Sequence, residues 1–185
     1  SVTKKSNTSY TFIMPDADVT ISASFKEEST DPVDPEWENP FTDVAEGDWF
    51  YDAVKYVHEN EMMVGTSDTL FGPDDTTTRA MIVTILYRLE GSPAAAGSSF
   101  ADVATDAYYA DAVAWAAQNG IVEGVTAITF APDTKINREQ MAVIMANYAK
   151  KLGYDLPKTL QAVTFADNAQ ISSWAKNAVR AMQQA

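Results

Sequence analysis

The segment FTDVAEGDWFYDAV, beginning at Phe41, returns at Phe100 as FADVATDAYYADAV and at Phe165 as FADNAQISSWAKNAV. A chain that repeats itself at such a period is built from supersecondary units that bury their apolar faces against one another, so repeats are read before single sites. A shift of 59 positions superimposes the first two copies without a gap from Phe41 to about Leu89, laying Asp43 on Asp102, Trp49 on Tyr108, Gly65 on Gly124, Phe71 on Phe130, Pro73 on Pro132 and Arg79 on Arg138. The third copy aligns at 65 positions for Phe165 and Asp167 and, after one inserted residue, at 66 for Trp174, Ala178 and Val179. Ala185 then corresponds to Asn119, about halfway through a unit.

Each unit reads helix, short extended stretch, helix, which predicts a mainly α fold of tandem repeats. The first helix is expected over Trp49–Asn60 and Tyr108–Asn119, with a third starting at Ser172. A short strand or loop follows around Phe71 and Phe130, closed by Pro73 and Pro132. The second helix starts after the N-caps Thr78 and Asn137. Asn137 and Gln140 have the spacing of a capping box, a pairing Thr78 and Met81 are not expected to make. Ile82, Ile85, Leu86 and Leu89 follow helical spacing, as do Met141, Ile144, Met145 and Tyr148. One helix cannot bury such a stripe alone, so the second helices are expected to share a central bundle.

Upstream of the repeats the pattern changes. Val19, Ile21, Ala23 and Phe25 alternate with Thr20, Ser22 and Ser24, the period of a half-buried strand, and MPDAD before them reads as a turn. The stretch YTFIMPDADVTISASF resembles the closing strands of small β-repeats found in tandem in bacterial surface proteins. KEESTDPVDPEWENP carries three prolines and a surplus of acid, the composition of a solvated linker. The expected organisation is therefore a β segment at 1–26, a linker at 27–40, repeat units at 41–99 and 100–164, and a first half-unit at 165–185.

Composition narrows the function classes. With 46% apolar residues the chain can bury a core, while a formal charge of −13 argues against nucleic acid, whose phosphates need clustered Lys and Arg. There is no cysteine, which excludes thiolate catalysis and Cys-ligated zinc. No apolar run approaches the ~18 residues of a membrane span. His58 is the only histidine, and a structural place on its helix is expected for it. Asp16/Asp18 and Asp74–Asp75 lack the spaced acids, glycine and closing Glu of a calcium loop. No phosphate loop, nucleophile elbow or His-pair motif occurs, so neither catalysis, a metal nor a cofactor is expected.

The ordered series F-x-D-V, W/Y-x-x-x-A-V, G-I-x-x-G, F-x-P and T-R-x-E/Q, carried here by FTDV and FADV, WFYDAV and YYADAV, GIVEG, FGP and FAP, and TTRAM and INREQ, resembles S-layer homology modules. The resemblance covers residues 41–185. It implies a pseudo-threefold spindle with one helix per module in a central bundle, location at the bacterial cell surface, and non-covalent attachment to secondary cell-wall polysaccharide, often through pyruvylated N-acetylmannosamine. The motifs depart from the family at GTSDTLF and GVTAITF, where G-Y-P-D-G-T-F is common, and at Met81, where Glu or Gln is usual.

For such a ligand, Arg79 and Arg138 are the candidates to grip a pyruvyl carboxylate, helped by free N–H groups in the first turn of each second helix. The alternative is an ion pair with a neighbouring module's Asp. Asp43, Asp102 and Asp167 either accept from sugar hydroxyls or hold the start of each module as N-caps or Asx-turn acceptors. Trp49, Tyr108 and Trp174 serve as stacking faces or as core packing. Gly65 and Gly124 permit close approach of backbone to a ligand or simply make turns. The competing function is a protein-interaction module on the same scaffold, in which the half-unit leaves apolar stripes uncovered and invites a homo-oligomer or complementation by another chain.

Overall fold

The computed structural model describes Val2–Lys4, Tyr10–Phe12 and residues 37–185. The chain divides into two compact units, Ser1–Trp37 and Glu38–Ala185. In the first, β1 (Val2–Lys4) pairs antiparallel with β2 (Tyr10–Phe12), with Val2 opposite Phe12 and Lys4 opposite Tyr10. The strand expected over Val19–Phe25, and most of the linker, lie outside the described residues.

The second unit holds five helices: α1 (Tyr51–Glu59), α2 (Arg79–Leu89), α3 (Ala110–Gln118), α4 (Arg138–Lys151) and α5 (Lys176–Gln184). Their starts obey the repeat, α1 and α3 differing by 59 positions, α3 and α5 by 66. The first helices begin two to four residues later than expected, because the residues ahead of them form turns. Tyr51 N donates to Asp48 O, Ala110 N to Ala107 O and, at the third copy, Ala175 N to Ser172 O. Both complete first helices stop alike. Asn60 and Asn119 donate from Nδ2 to carbonyls four residues back, and the next residue, Glu61 or Gly120, takes a positive φ.

Thr78 and Asn137 cap α2 and α4 as expected, accepting from Met81 N and Gln140 N. The expectation that Met81 cannot complete a capping box is corrected. Its Sδ accepts from Thr78 N at 3.5 Å, a thioether doing weakly what the Gln140 amide oxygen does at 3.3 Å.

Among the described residues the second repeat unit (100–164, module 2) is the best buried. Six of the nine residues of α3 are buried, against Val54 alone in α1, and Phe130, Ile121 and Val113 are fully enclosed. Val83 and Leu86 of α2 join Ile144 and Tyr148 of α4 in the same apolar cluster, and the Tyr148 hydroxyl donates to Glu90 Oε1 at 2.6 Å. The second helices thus both feed one apolar cluster, but the helices that pack directly are α2 with α3 and α4 with α5, each second helix leaning on the first helix of the following module. This changes which side of α2 is inside. Leu86 is buried but Leu89 is 49% exposed, while Ala80, Val83 and Thr84 are enclosed. Small residues on that side suit close approach to the alanine-rich α3, and the Thr84 hydroxyl is satisfied by Ala80 O at 2.8 Å.

Candidate functional site

The repeated aspartates are long-range clamps. Asp43 accepts from Phe71 N and Gly72 N, both at 2.8 Å, and Asp102 accepts from Phe130 N at 2.8 Å and Ala131 N at 2.7 Å. Each carboxylate thereby closes its module by binding a loop 28 and 29 residues downstream. The structural role is not the N-cap or Asx turn that local spacing suggested. Hydrogen bonding from Phe71 chiefly holds Asp43 below the ordinary carboxylate range. At Asp102 desolvation pushes upward but is outweighed by the Phe130 and Ala131 amides and by the charge of Arg79. Asp167 is exposed, and its carboxylate has no hydrogen bond among the described residues.

Gly65 and Gly124 face their own module. A Cβ on Gly65 would lie 2.6 Å from both the Leu70 carbonyl and the Phe41 ring, at a φ of +88°, and one on Gly124 would meet the Thr126 and Thr129 carbonyls and the Phe100 ring. His58 packs edge-on against Phe41, with ring centroids 5.1 Å apart.

Arg79 and Arg138 occupy the same motif position in opposite surroundings. Arg79 is buried: its Nε donates to Phe130 O at 3.0 Å, its Nη2 to Glu123 O at 2.9 Å, and its guanidinium lies over the Phe130 ring. Burial pulls its pKa down and Asp102 opposes that, so the cation is retained. The main chain docks beside it. Arg79 N donates to Thr134 O, Ala80 N to Pro132 O, and Ile136 N to Thr77 O. The N–H groups expected to be free at the start of α2 are therefore occupied by the module 2 loop. At α4 the first two N–H groups, of Arg138 and Glu139, have no partner among the described residues. The Arg138 side chain is exposed and likewise makes no hydrogen bond or ion pair among them.

The three aromatic positions lie outside the core. Trp49 is 93% exposed, Tyr108 66% and Trp174 57%. Trp174 lines a groove of about 360 Å³ with Arg79, Glu123, Gly124, Val125, Gln140 and Val143, so residues of all three copies converge there. A second groove, of about 690 Å³, joins Arg138 and Asp167 with Phe165, Gln170, Ile171, Val179 and Met182. Both fall in the size range of small-ligand sites. Asp43, Asp102, Gly65, Trp49 and Tyr108 lie outside both grooves. Gln140 and Glu123 were not singled out as site residues from sequence, although each falls inside a repeated motif, INREQ and GIVEG. Glu139 was also missed: it holds the third copy through Ser172 N at 2.8 Å and Ser172 Oγ at 3.1 Å. Among the described residues no cluster of His, Asp or Glu could hold a metal ion, and no helix is long and apolar enough to cross a membrane.

Comparison with known proteins agrees with the repeat. The S-layer homology domain family matches residues 40–80 and 99–142. The chain is 35% identical over 142 residues to an endoglucanase of Bacillus sp. (strain KSM-635), covering 76% of this chain and 15% of that protein. It is 30% identical to an amylopullulanase of Thermoanaerobacterium thermosulfurigenes over 78% of this chain and 8% of that one. It is 32% identical to the surface-layer 125 kDa protein of Lysinibacillus sphaericus over 68% of this chain and 10% of that one. The chain thus spans only a small part of each of these relatives, whose names describe enzymes in two cases and a surface-layer protein in the third. Through residues 40–80 and 99–142, the chain belongs to the S-layer homology family.

Proposed function

We propose that the chain is a non-catalytic anchor that holds a bacterial surface protein on the cell wall by binding secondary cell-wall polysaccharide in the grooves between its modules. The observation that carries this reading is the convergence of Arg79, Gly124 and Trp174, from three successive copies, on one groove. Arg138, which lines the second groove with Asp167, supports it as a cation suited to an acidic substituent such as a pyruvyl ketal. Attachment to very different surface proteins fits a part found in both enzyme-named and surface-layer relatives. Co-sedimentation with purified wall sacculi tests the reading. Binding is expected to be lost when the polysaccharide is stripped and weakened by Arg138→Ala; undiminished binding to stripped walls overturns it.

A second reading, association with another protein chain, is favoured by the third copy. α5 has no buried residue, and Leu160, Val163 and Phe165 are exposed. Light scattering over a concentration series separates the two: a strict monomer that still binds walls leaves only the anchor.

A further inference from the structure

We infer that Met81 is a modification site: a peroxide oxidises it to the sulfoxide, and the new oxygen tightens the cap of α2 instead of loosening the fold. In that capping box Met81 N donates to Thr78 Oγ1 at 3.3 Å, and Thr78 N donates back to Met81 Sδ at 3.5 Å. A thioether is a weak acceptor, so the return bond is the poor half of the box. At the same motif position in module 2, Gln140 makes the return bond with an amide oxygen, accepting from Asn137 N at 3.3 Å. Methionine and glutamine share Cβ and Cγ, and methionine has Sδ where glutamine has Cδ. An oxygen added to Sδ therefore stands where glutamine carries Oε1, and rotation about Cγ–Sδ turns it toward Thr78 N in either sulfoxide epimer. Its partial negative charge also suits the start of a helix.

Oxidation commonly damages a protein because it puts a polar group into apolar packing. Met145 is in that position, packed against the apolar cluster. Met81 is half-buried and stands outside that cluster. Gln140, flanked by a copy on either side, still borders a groove, so a peroxide reaches this position within the assembled repeat. In the reaction the Sδ lone pair attacks one oxygen of hydrogen peroxide, and the S–O bond forms as the O–O bond breaks. The departing hydroxide takes up the remaining proton and leaves as water; sulfur is oxidised and the peroxide reduced. The effect reaches beyond one helix, because Thr78 bridges to Lys135, and Arg79 N and Ala80 N donate to Thr134 O and Pro132 O. A firmer cap at Thr78 steadies the junction with module 2.

The test treats the whole chain with dilute hydrogen peroxide, locates each sulfoxide by peptide mass spectrometry and follows the Thr78 amide by NMR hydrogen exchange. Met81 is expected to oxidise before Met145. In the Met81 sulfoxide form the Thr78 N–H is expected to exchange about three- to tenfold more slowly than in the untreated chain, and methionine sulfoxide reductase to restore the original rate. Met81→Gln should show the slower exchange without peroxide. Met81→Leu, of similar bulk but with no acceptor, should exchange faster and gain nothing from peroxide. A Thr78 N–H that exchanges as fast or faster once Met81 is oxidised overturns the inference, as does oxidation of Met145 ahead of Met81.

Discussion

Arg79 engages Phe130 twice: its Nε donates to the Phe130 carbonyl at 3.0 Å, and its guanidinium carbon lies 4.7 Å from the centroid of the Phe130 ring. The contact crosses from module 1 to module 2 and is buried on both sides, since Phe130 is wholly enclosed and Arg79 is 6% exposed. An arginine that the sequence offered either as a ligand group or as an ion-pair partner is here the bolt between two modules.

Arg79→Ala is therefore expected to act on stability first. It strands the Phe130 and Glu123 carbonyls and should cost about 3 kcal/mol in urea unfolding. Arg79→Lys recovers only part of this, because an ammonium cannot serve two separated carbonyls in one plane. Arg138→Ala should change stability by no more than about 0.5 kcal/mol and act on wall binding instead. Equal stability losses at the two positions would contradict the assignment.

The aspartate clamps predict an acid limb. Asp43 and Asp102 are held below their ordinary values in the folded state, so near and below pH ~4 the unfolded chain binds more protons than the folded one. Stability from the clamps is full above the unfolded value and falls as pH drops through the folded one. Urea midpoints measured between pH 6 and pH 2 should show this decline, and Asp102→Asn should flatten it.

Tyr148 predicts the opposite limb. Burial first, then the hydrogen bond and charge of Glu90, push its hydroxyl up to about 12. A folded value above the ~10 of a free tyrosine means stability is full below that value and lost as pH climbs toward 12. Tyrosinate absorbance compared between the unaltered chain and Tyr148→Phe isolates this group. Glu90→Gln should lower its titration midpoint.

Two residues hold left-handed backbone without being glycine where the other module has one. Ala131 (φ 59°) corresponds to Gly72, and Glu61 (φ 55°) to Gly120. Ala131→Gly and Glu61→Gly should each raise stability by about 0.5–1 kcal/mol, the relief of left-handed strain less the added freedom of the unfolded chain. Thermal unfolding of the two single variants checks this; a loss at both would refute it.

Much of this architecture was legible because repetition carries positional information. The 59-residue offset that superimposes Phe41 on Phe100 also maps α1 onto α3, and the offset of 66 maps α3 onto α5. Capping was legible at Asn137 and missed at Met81, whose sulfur is not part of the usual box. The clamps of Asp43 and Asp102 were hidden because their partners lie 28 residues away, beyond any rule of helical or turn spacing. The difference between Arg79 and Arg138 is written nowhere near either residue. It arises because the module 2 loop covers the start of α2.

The backbone rungs that tie Thr77–Ala80 to Pro132–Ile136 have a mechanical consequence. They make the first turn of α2 a structural part of module 2, so tension along the chain cannot peel one module away and leave the other intact. Under load, as in flow past a cell, the pair should resist together and give way in a single rupture, with one peak in a pulling trace where independent beads would give two.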